Sequence, residues 1–261
     1  MFNLEDEGQP IAYIVNEETS EKSKKPKTLF LADKKALVGN AWPFIELQDN
    51  YKFELAVNTT AARQILYVCG ASGSGKSFFM KLFVNHYHKV FPKRPIYLFS
   101  ALASDETLDK VKTIKRINID ENFLQETFDV TDFKDSLVLY DDVDTISDKA
   151  KKSKVMQTFN IIAELGRHEN VSCAFLSHTA NAGLETKKIL NESTSVTFFP
   201  QTMGTRALKY LCQTTFGMSN KQIEKLRQLE TRACTILKTY PMVLMSDHLT
   251  CFIRDLENIE L

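Results

Sequence analysis

Residues 70–77, GASGSGKS, have the types and spacing that most plainly carry chemistry. Gly70, Gly75, Lys76 and Ser77 satisfy the pattern G-x-x-x-x-G-K-[ST], with Ala71, Ser72, Gly73 and Ser74 filling the loop between them. Glycines there let the backbone turn tightly, so that successive N–H groups face phosphate oxygens, and a helix start adds partial positive charge. Lys76 is expected to reach the β- and γ-phosphates, and Ser77 to set its hydroxyl on Mg²⁺. The chemistry implied is binding of ATP with Mg²⁺. The other reading, a Gly/Ser-rich turn beside a coincidental Lys-Ser, neglects the context: an apolar strand (residues 65–69) leads in and a helix (77–85) leads out.

A metal on Ser77 needs a carboxylate opposite, and residues 136–144, SLVLYDDVD, end an apolar strand in acid. Asp141, the first acid, is expected to bind Mg²⁺ directly or through water. Asp142 then stands where it can orient or deprotonate the attacking water; its alternative is a solvated strand-end carboxylate. Asp144 reads as structural. Residues 172–180, SCAFLSHTA, form a strand ending in Ser177 and His178. In ATPases with a catalytic acid, the strand between the phosphate-loop strand and the metal strand presents a polar residue near the γ-phosphate. His178 or Ser177 is a candidate for that sensor, against the alternative of an ordinary core or rim histidine.

These residues need a rigid frame. From residue 64 onward the apolar runs ILYVC, PIYLFS, SLVLYDD, SCAFLSH and SVTFFP alternate with helices expected near residues 76–90, 154–167 and 184–191. Nearly continuous apolar strands separated by helices imply an α/β fold with a parallel sheet covered on both faces; with residues 70–77 and 136–144 this resembles a P-loop NTPase three-layer α/β/α sandwich with a mostly parallel central sheet, RecA-like, of the additional-strand catalytic-acid type. Residues 205–217 and 220–230 read as two more helices, with Gly217 as a stop, and residues 231–253 as a closing pair of strands turning near Pro241. Before residue 60, short β-type runs (11–15, 28–32, 51–57) surround a polar stretch, 16–27, read as a loop or solvated arm. The expected layout is a β-rich N-terminal segment over 1–60 and a P-loop domain over 61–261, with small β-rich additions at both ends.

Composition narrows the class further. The 261 residues suffice for one sizeable core, and 43% hydrophobic with 25% charged residues argues against bulk disorder. Lys plus Arg and Asp plus Glu are both 33, so no whole-molecule field draws the chain to nucleic acid or anionic lipid. Five cysteines, without a C-x-x-C pair, read as reduced core residues of an intracellular protein. No apolar run approaches the length of a membrane span, and the acidic start does not read as a signal peptide.

The stretch ELGRHENVSCAFLSH resembles the segment after the acidic motif in the FtsK–HerA class of DNA pumps. The runs GRHEN, SHTANAGLETKKILNES, TFFPQ and FGMSNKQIEKLRQLETRACTILKTYP resemble the genome-packaging ATPases of poxviruses and other large nucleocytoplasmic DNA viruses, over most of residues 64–250. That resemblance implies a homo-oligomeric ring, pentamer or hexamer, threading double-stranded DNA into a preformed capsid at assembly sites in the host-cell cytoplasm, with capsid or vertex proteins as partners. It also implies an arginine completing each ATP site from the neighbouring subunit: Arg167, in the Gly-Arg position, is the first candidate and Arg206 the second, each otherwise an ordinary surface arginine. His178 departs from the Gln common in FtsK pumps, which bears on the sensor.

DNA contact is expected, if anywhere, at residues 148–154, DKAKKSK, read as a lysine-rich loop that lines a pore or is simply solvated, and at the basic arm of residues 22–27. The competing functions are a nucleoside-kinase-type phosphotransferase and a cellular DNA-pumping ATPase. The acidic pair suits water better than a sugar hydroxyl as phosphoryl acceptor.

Overall fold

The computed structural model describes residues 1–17, 26–33, 40–61, 63–102, 104–180 and 183–260. The basic arm therefore lies outside the described residues, apart from Pro26 and Lys27. The chain divides into two compact units, one made of Met1–Thr60 with Thr197–Leu261 and the other of Ala61–Val196.

The first part of the first unit holds β1 (Phe2–Asn3), β2 (Gln9–Asn16), β3 (Lys27–Leu31), β4 (Phe44–Glu46) and β5 (Tyr51–Leu55). β1, β3, β2 and β5 hydrogen-bond in that order, every pair antiparallel. The alternation read in YKFEL is real: Phe53 and Leu55 are buried and the charged residues between them are not.

The second unit runs β6 (Ile65–Cys69), α1 (Lys76–Val90), β7 (Ile96–Ser100), β8 (Ile114–Asn118), β9 (Leu137–Asp141), α2 (Lys149–Leu165), β10 (Ser172–Ser177), α3 (Leu184–Glu192) and β11 (Ser195–Phe198), within which the division between units falls. Its sheet has the order β6–β10–β9–β7–β8, and every pair is parallel. All residues of β6, β9 and β10 are buried, which explains why these strands read as unbroken apolar runs. Along the order, α1 leads one way and α2 the other. Right-handed crossovers then put α1 on one face and α2 and α3 on the opposite one, giving the three layers. β8 escaped the sequence reading because it ends the strand order: IKRIN is only half buried, so it carries no apolar run.

Register decides what faces what. Tyr67 pairs with Phe175, Phe175 with Tyr140, and Tyr140 with Phe99, so four aromatic side chains lie in a row across four strands. Their neighbouring ring centroids are 6.4, 5.9 and 5.2 Å apart, and Phe159 of α2 packs edge-on to Tyr140 and Phe175. Because side chains alternate along a strand, Asp141 follows Tyr140 onto the face opposite α2. The same register aligns the C-terminal ends of β6, β10, β9 and β7, with Leu176 and Ser100 both opposite Asp141.

One correction concerns the start of α2. Its first turns contain residues 149–154, which the sequence suggested were a loop; Asp148 accepts from the N–H groups of Ala150 (2.8 Å) and Lys151 (3.0 Å) and so caps a helix starting five residues earlier than expected. At its other end, the Arg63 guanidinium donates to the carbonyls of Ile162 (2.6 Å) and Ala163 (2.7 Å), satisfying last-turn acceptors. Gly166 sits beneath it, where a Cβ would come within 2.5 Å of the Ile162 carbonyl oxygen and 3.2 Å of Arg63.

The first unit closes with α4 (Thr205–Phe216), α5 (Asn220–Gln228), β12 (Cys234–Leu237), β13 (Val243–Met245) and β14 (Leu249–Phe252). Gly217 does end α4: its φ is +66°, and the N–H groups of Gly217 and Met218 donate to Gln213 and Cys212. Ser219 and Gln222 then form a capping box that starts α5. The expected strand pair is three strands, β12, β13 and β14, which pair antiparallel and continue onto β4. The third was hidden because residues 246–249 make a tight turn inside what read as one strand, with Ser246 and Leu249 exchanging hydrogen bonds. No helix among the described residues is long and apolar enough to cross a membrane.

Candidate functional site

Gly70 to Ser77 leave β6 and enter α1 as the sequence implies. Gly73 and Gly75 hold φ of +74° and +113°, the left-handed region where only glycine is unstrained. No side chain caps α1, so its first N–H groups remain free to meet an anion. Gly70 N–H donates to the Ser177 carbonyl (3.0 Å), which ties the start of this loop to the end of β10. Since α1 and α3 leave the adjacent strands β6 and β10 toward opposite faces, a crevice opens between those strand ends, where ligands of open α/β sheets bind.

Lys76 is only 7% exposed. Its ammonium donates to the carbonyls of Gly70 (2.9 Å) and Ala71 (3.3 Å) and lies 3.4 Å from His178 Nδ1. His178 Nε2 in turn lies 2.7 Å from Asp142 Oδ1, close enough to pair with it although off the line of a hydrogen bond. A proton on Nε2 serves both sides: Nδ1 accepts from Lys76 and the N–H faces the carboxylate. Lys76, His178 and Asp142 thus form one continuous polar chain across β6, β10 and β9.

Asp142 itself has φ of +53°, an uncommon conformation for a residue with a side chain and one that aspartate tolerates better than most. Asp144, two residues on, holds the end of β10: its Oδ2 accepts from Ser177 Oγ and from His178 N–H, both at 3.0 Å. Ser177 therefore faces Asp144, and His178 is the strand-end residue that contacts both Lys76 and Asp142.

Asp141 is 2% exposed, and its Oδ2 has no hydrogen-bond partner. Burial, then the charges of Asp142 and Asp105, push its carboxyl up to about 7, while Lys76 and Arg116 pull it down. Ser77 Oγ donates to Asp105 Oδ2 at 3.3 Å. Sequence reasoning missed Asp105, whose one signal is its place in the loop leaving the C-terminal end of β7. A buried carboxylate oxygen without a partner and a nearby serine hydroxyl fit a hard divalent cation such as Mg²⁺, which takes oxygen ligands. Asp142, Asp144 and His178 also bring one donor atom each within 4.8 Å of one another, but a ring nitrogen among them suits Mg²⁺ less well.

Arg167 takes no part in this cluster. Arg167 is exposed on the turn after α2 and makes no hydrogen bond or ion pair with a described residue. Arg206 is exposed on the first turn of α4, in the other unit. Of the lysines on α2, Lys151 pairs with Glu121 (2.6 Å), Lys152 with Glu185 (3.7 Å), and Lys154 donates to the carbonyls of Leu124 (2.8 Å) and Glu126.

No family model matches the chain. Protein V3 of Sputnik virophage, which is uncharacterized, is 37% identical over 188 residues, covering 71% of this chain and 76% of that protein. Among solved structures, the cytoplasmic domain of the Thermomonospora curvata Type VII secretion ATPase EccC is similar with a TM-score of 0.51 at 11% identity, over 83% of this chain and 31% of that one. The DNA-packaging ATPase B204 of Sulfolobus turreted icosahedral virus superposes with a TM-score of 0.46 at 12% identity, over 72% of this chain and 98% of that one. The chain belongs to the family of the virophage protein V3, and its mixed α/β fold with a mostly parallel central sheet matches that of P-loop ATPases such as EccC.

Proposed function

We propose that this protein is an ATPase that drives double-stranded DNA into a preformed viral capsid. The observation that carries the reading is the polar chain Lys76–His178–Asp142, which joins the phosphate loop to an acid at the next strand but one. The viral resemblance of residues 64–250 and kinship with a virophage protein support packaging as the work this site powers.

The backbone N–H groups of residues 70–77 and the start of α1 hold the phosphates, and Lys76 exchanges its loop carbonyls for β- and γ-phosphate oxygens. Ser77 and Asp141 are the residues to hold Mg²⁺, which when bound neutralises charge on those oxygens. Asp142 accepts a proton from water as the water oxygen bonds to the γ-phosphorus and the bond to the bridging oxygen breaks, leaving ADP. His178, touching both Lys76 and Asp142, makes the position of the acid depend on whether Lys76 is engaged with phosphate. An arginine from a neighbouring copy, Arg167 before Arg206, stabilises the charge that spreads over the γ-oxygens, which makes a ring the working form. Capsid or vertex proteins at the cytoplasmic assembly site are the partners of that ring.

A triplex-displacement assay tests this function. ATP-dependent release of a third strand from linear duplex DNA is expected. ATP turnover without any displacement, or phosphate transfer to a nucleoside in place of water, would overturn it.

A further inference from the structure

In the loop after β7, the described residues 101, 102 and 104–109 are built against the acidic strand end. Ala101 N–H donates to the Asp141 carbonyl (3.4 Å), and Leu102 N–H to Ser100 Oγ (3.2 Å). Further along, Asp105 is gripped on one side only. Its Oδ1 accepts from the N–H groups of Thr107 (2.7 Å) and Leu108 (2.6 Å), and its own N–H donates to Asp109 Oδ2 (2.7 Å). Arg116 of β8 locks this arrangement, donating to Asp109 Oδ1 (2.5 Å) and to the Leu102 carbonyl (2.8 Å). The second oxygen, Oδ2, is left to meet Ser77 Oγ.

A local turn alone would need only Oδ1. The loop that carries Asp105 leaves β7 directly after Ser100, the register partner of Asp141, so the fold brings a second carboxylate to the strand ends beside the phosphate loop and ties it to the Ser77 hydroxyl. The buried, unpartnered Asp141 Oδ2 independently marks the place as one that awaits a ligand. With Ser77, Asp105 and Asp141 the donors are all oxygens, as a hard divalent cation requires.

We propose that Asp105 is a further acidic residue of the Mg²⁺ site, a positioning residue that holds the Ser77 hydroxyl and presents a second carboxylate to the hydrated cation. This rests on the nucleotide-binding reading of residues 70–77. Asp105 acts on the cation, not on the reacting water, and so is separate from Asp142.

The test is Mg²⁺ titration of the affinity of the full chain for a fluorescent ATP analogue, beside Mn²⁺ binding followed by electron paramagnetic resonance. Asp105→Asn keeps an acceptor for Thr107 and Leu108 while removing the charge, and Asp105→Ser keeps a shorter acceptor should Asn perturb the loop. Both are expected to bind the analogue as wild type does in EDTA, yet to need about tenfold more Mg²⁺ for half-maximal enhancement. Glu106→Gln, on the same loop and exposed, should leave the Mg²⁺ curve unchanged. Mg²⁺ curves of folded Asp105 variants that superimpose on wild type would overturn the proposal while leaving nucleotide binding intact. Wild-type protein that binds no analogue at all, with or without Mg²⁺, would overturn the nucleotide reading and this proposal with it.

Discussion

At the scale of single residues, the site separates binding from chemistry. Lys76 touches the phosphate loop and Asp142 touches His178, so losing either end should have a different signature. Asp142→Asn is expected to retain the ATP analogue within a few-fold while turnover falls by about 10²–10⁴, the usual worth of a general base, as read by phosphate release. Equal losses of binding and turnover would instead make Asp142 structural. The thiols offer a pH prediction. None of the five cysteines forms a disulfide and all are buried, and burial pushes Cys173, Cys212 and Cys251 up to about 12. Unfolded thiols ionise near pH 8.5, so folded protein binds more protons above that value. Their stabilisation is complete below about pH 8.5 and is lost as pH rises toward 12. The urea midpoint should fall between pH 8 and 10, and iodoacetamide at pH 9 should label native protein far more slowly than urea-unfolded protein. At this scale motif spacing or a strand end pointed to Lys76, Ser77, Asp141, Asp142 and His178, and the structure brings Lys76, His178 and Asp142 into contact. Asp105 was not legible: its partner Ser77 lies 28 residues away, and it takes the parallel register across β6, β10, β9 and β7 to bring the two strand ends level.

At the scale of elements, the turn after α2 is tightly constrained. Gly166 is required by close approach and not by its backbone angle, because a methyl group there would meet a carbonyl oxygen and the Arg63 guanidinium. Gly166→Ala is expected to cost about 1–3 kcal/mol of stability in urea unfolding, in the range of overpacked sites. Arg63→Met, which frees the Ile162 and Ala163 carbonyls, should also destabilise; an unchanged midpoint for both would contradict the clamp. Strands with two buried faces, such as ILYVC and LVLYD, were legible because burial dictates their apolar runs. The start of α2 was not, since four lysines masked a helix that a single aspartate caps, and Asp148→Ala should cost about 1 kcal/mol. β8 and β14 were hidden by half-burial and by a polar turn, respectively.

At the scale of the whole molecule, zero net charge leaves DNA contact to local groups, and three of the lysines on the first turns of α2 are already engaged within the chain. Lys149 is exposed and has no such partner among the described residues, so Lys149→Glu is the variant of this helix most able to weaken DNA stimulation of turnover. The proposed ring predicts complementation. Mixing Arg167→Ala subunits with Lys76→Ala subunits should restore part of the turnover at mixed interfaces, while mixtures that assemble yet stay inactive would remove Arg167 as the finger. The central claim, that ATP hydrolysis at this site is harnessed to duplex DNA, is met most directly by steady-state phosphate release from the purified protein at low salt, with and without linear double-stranded DNA. The account predicts turnover that rises several-fold with DNA and is abolished by Lys76→Ala under both conditions. Hydrolysis that is robust yet indifferent to DNA would contradict it.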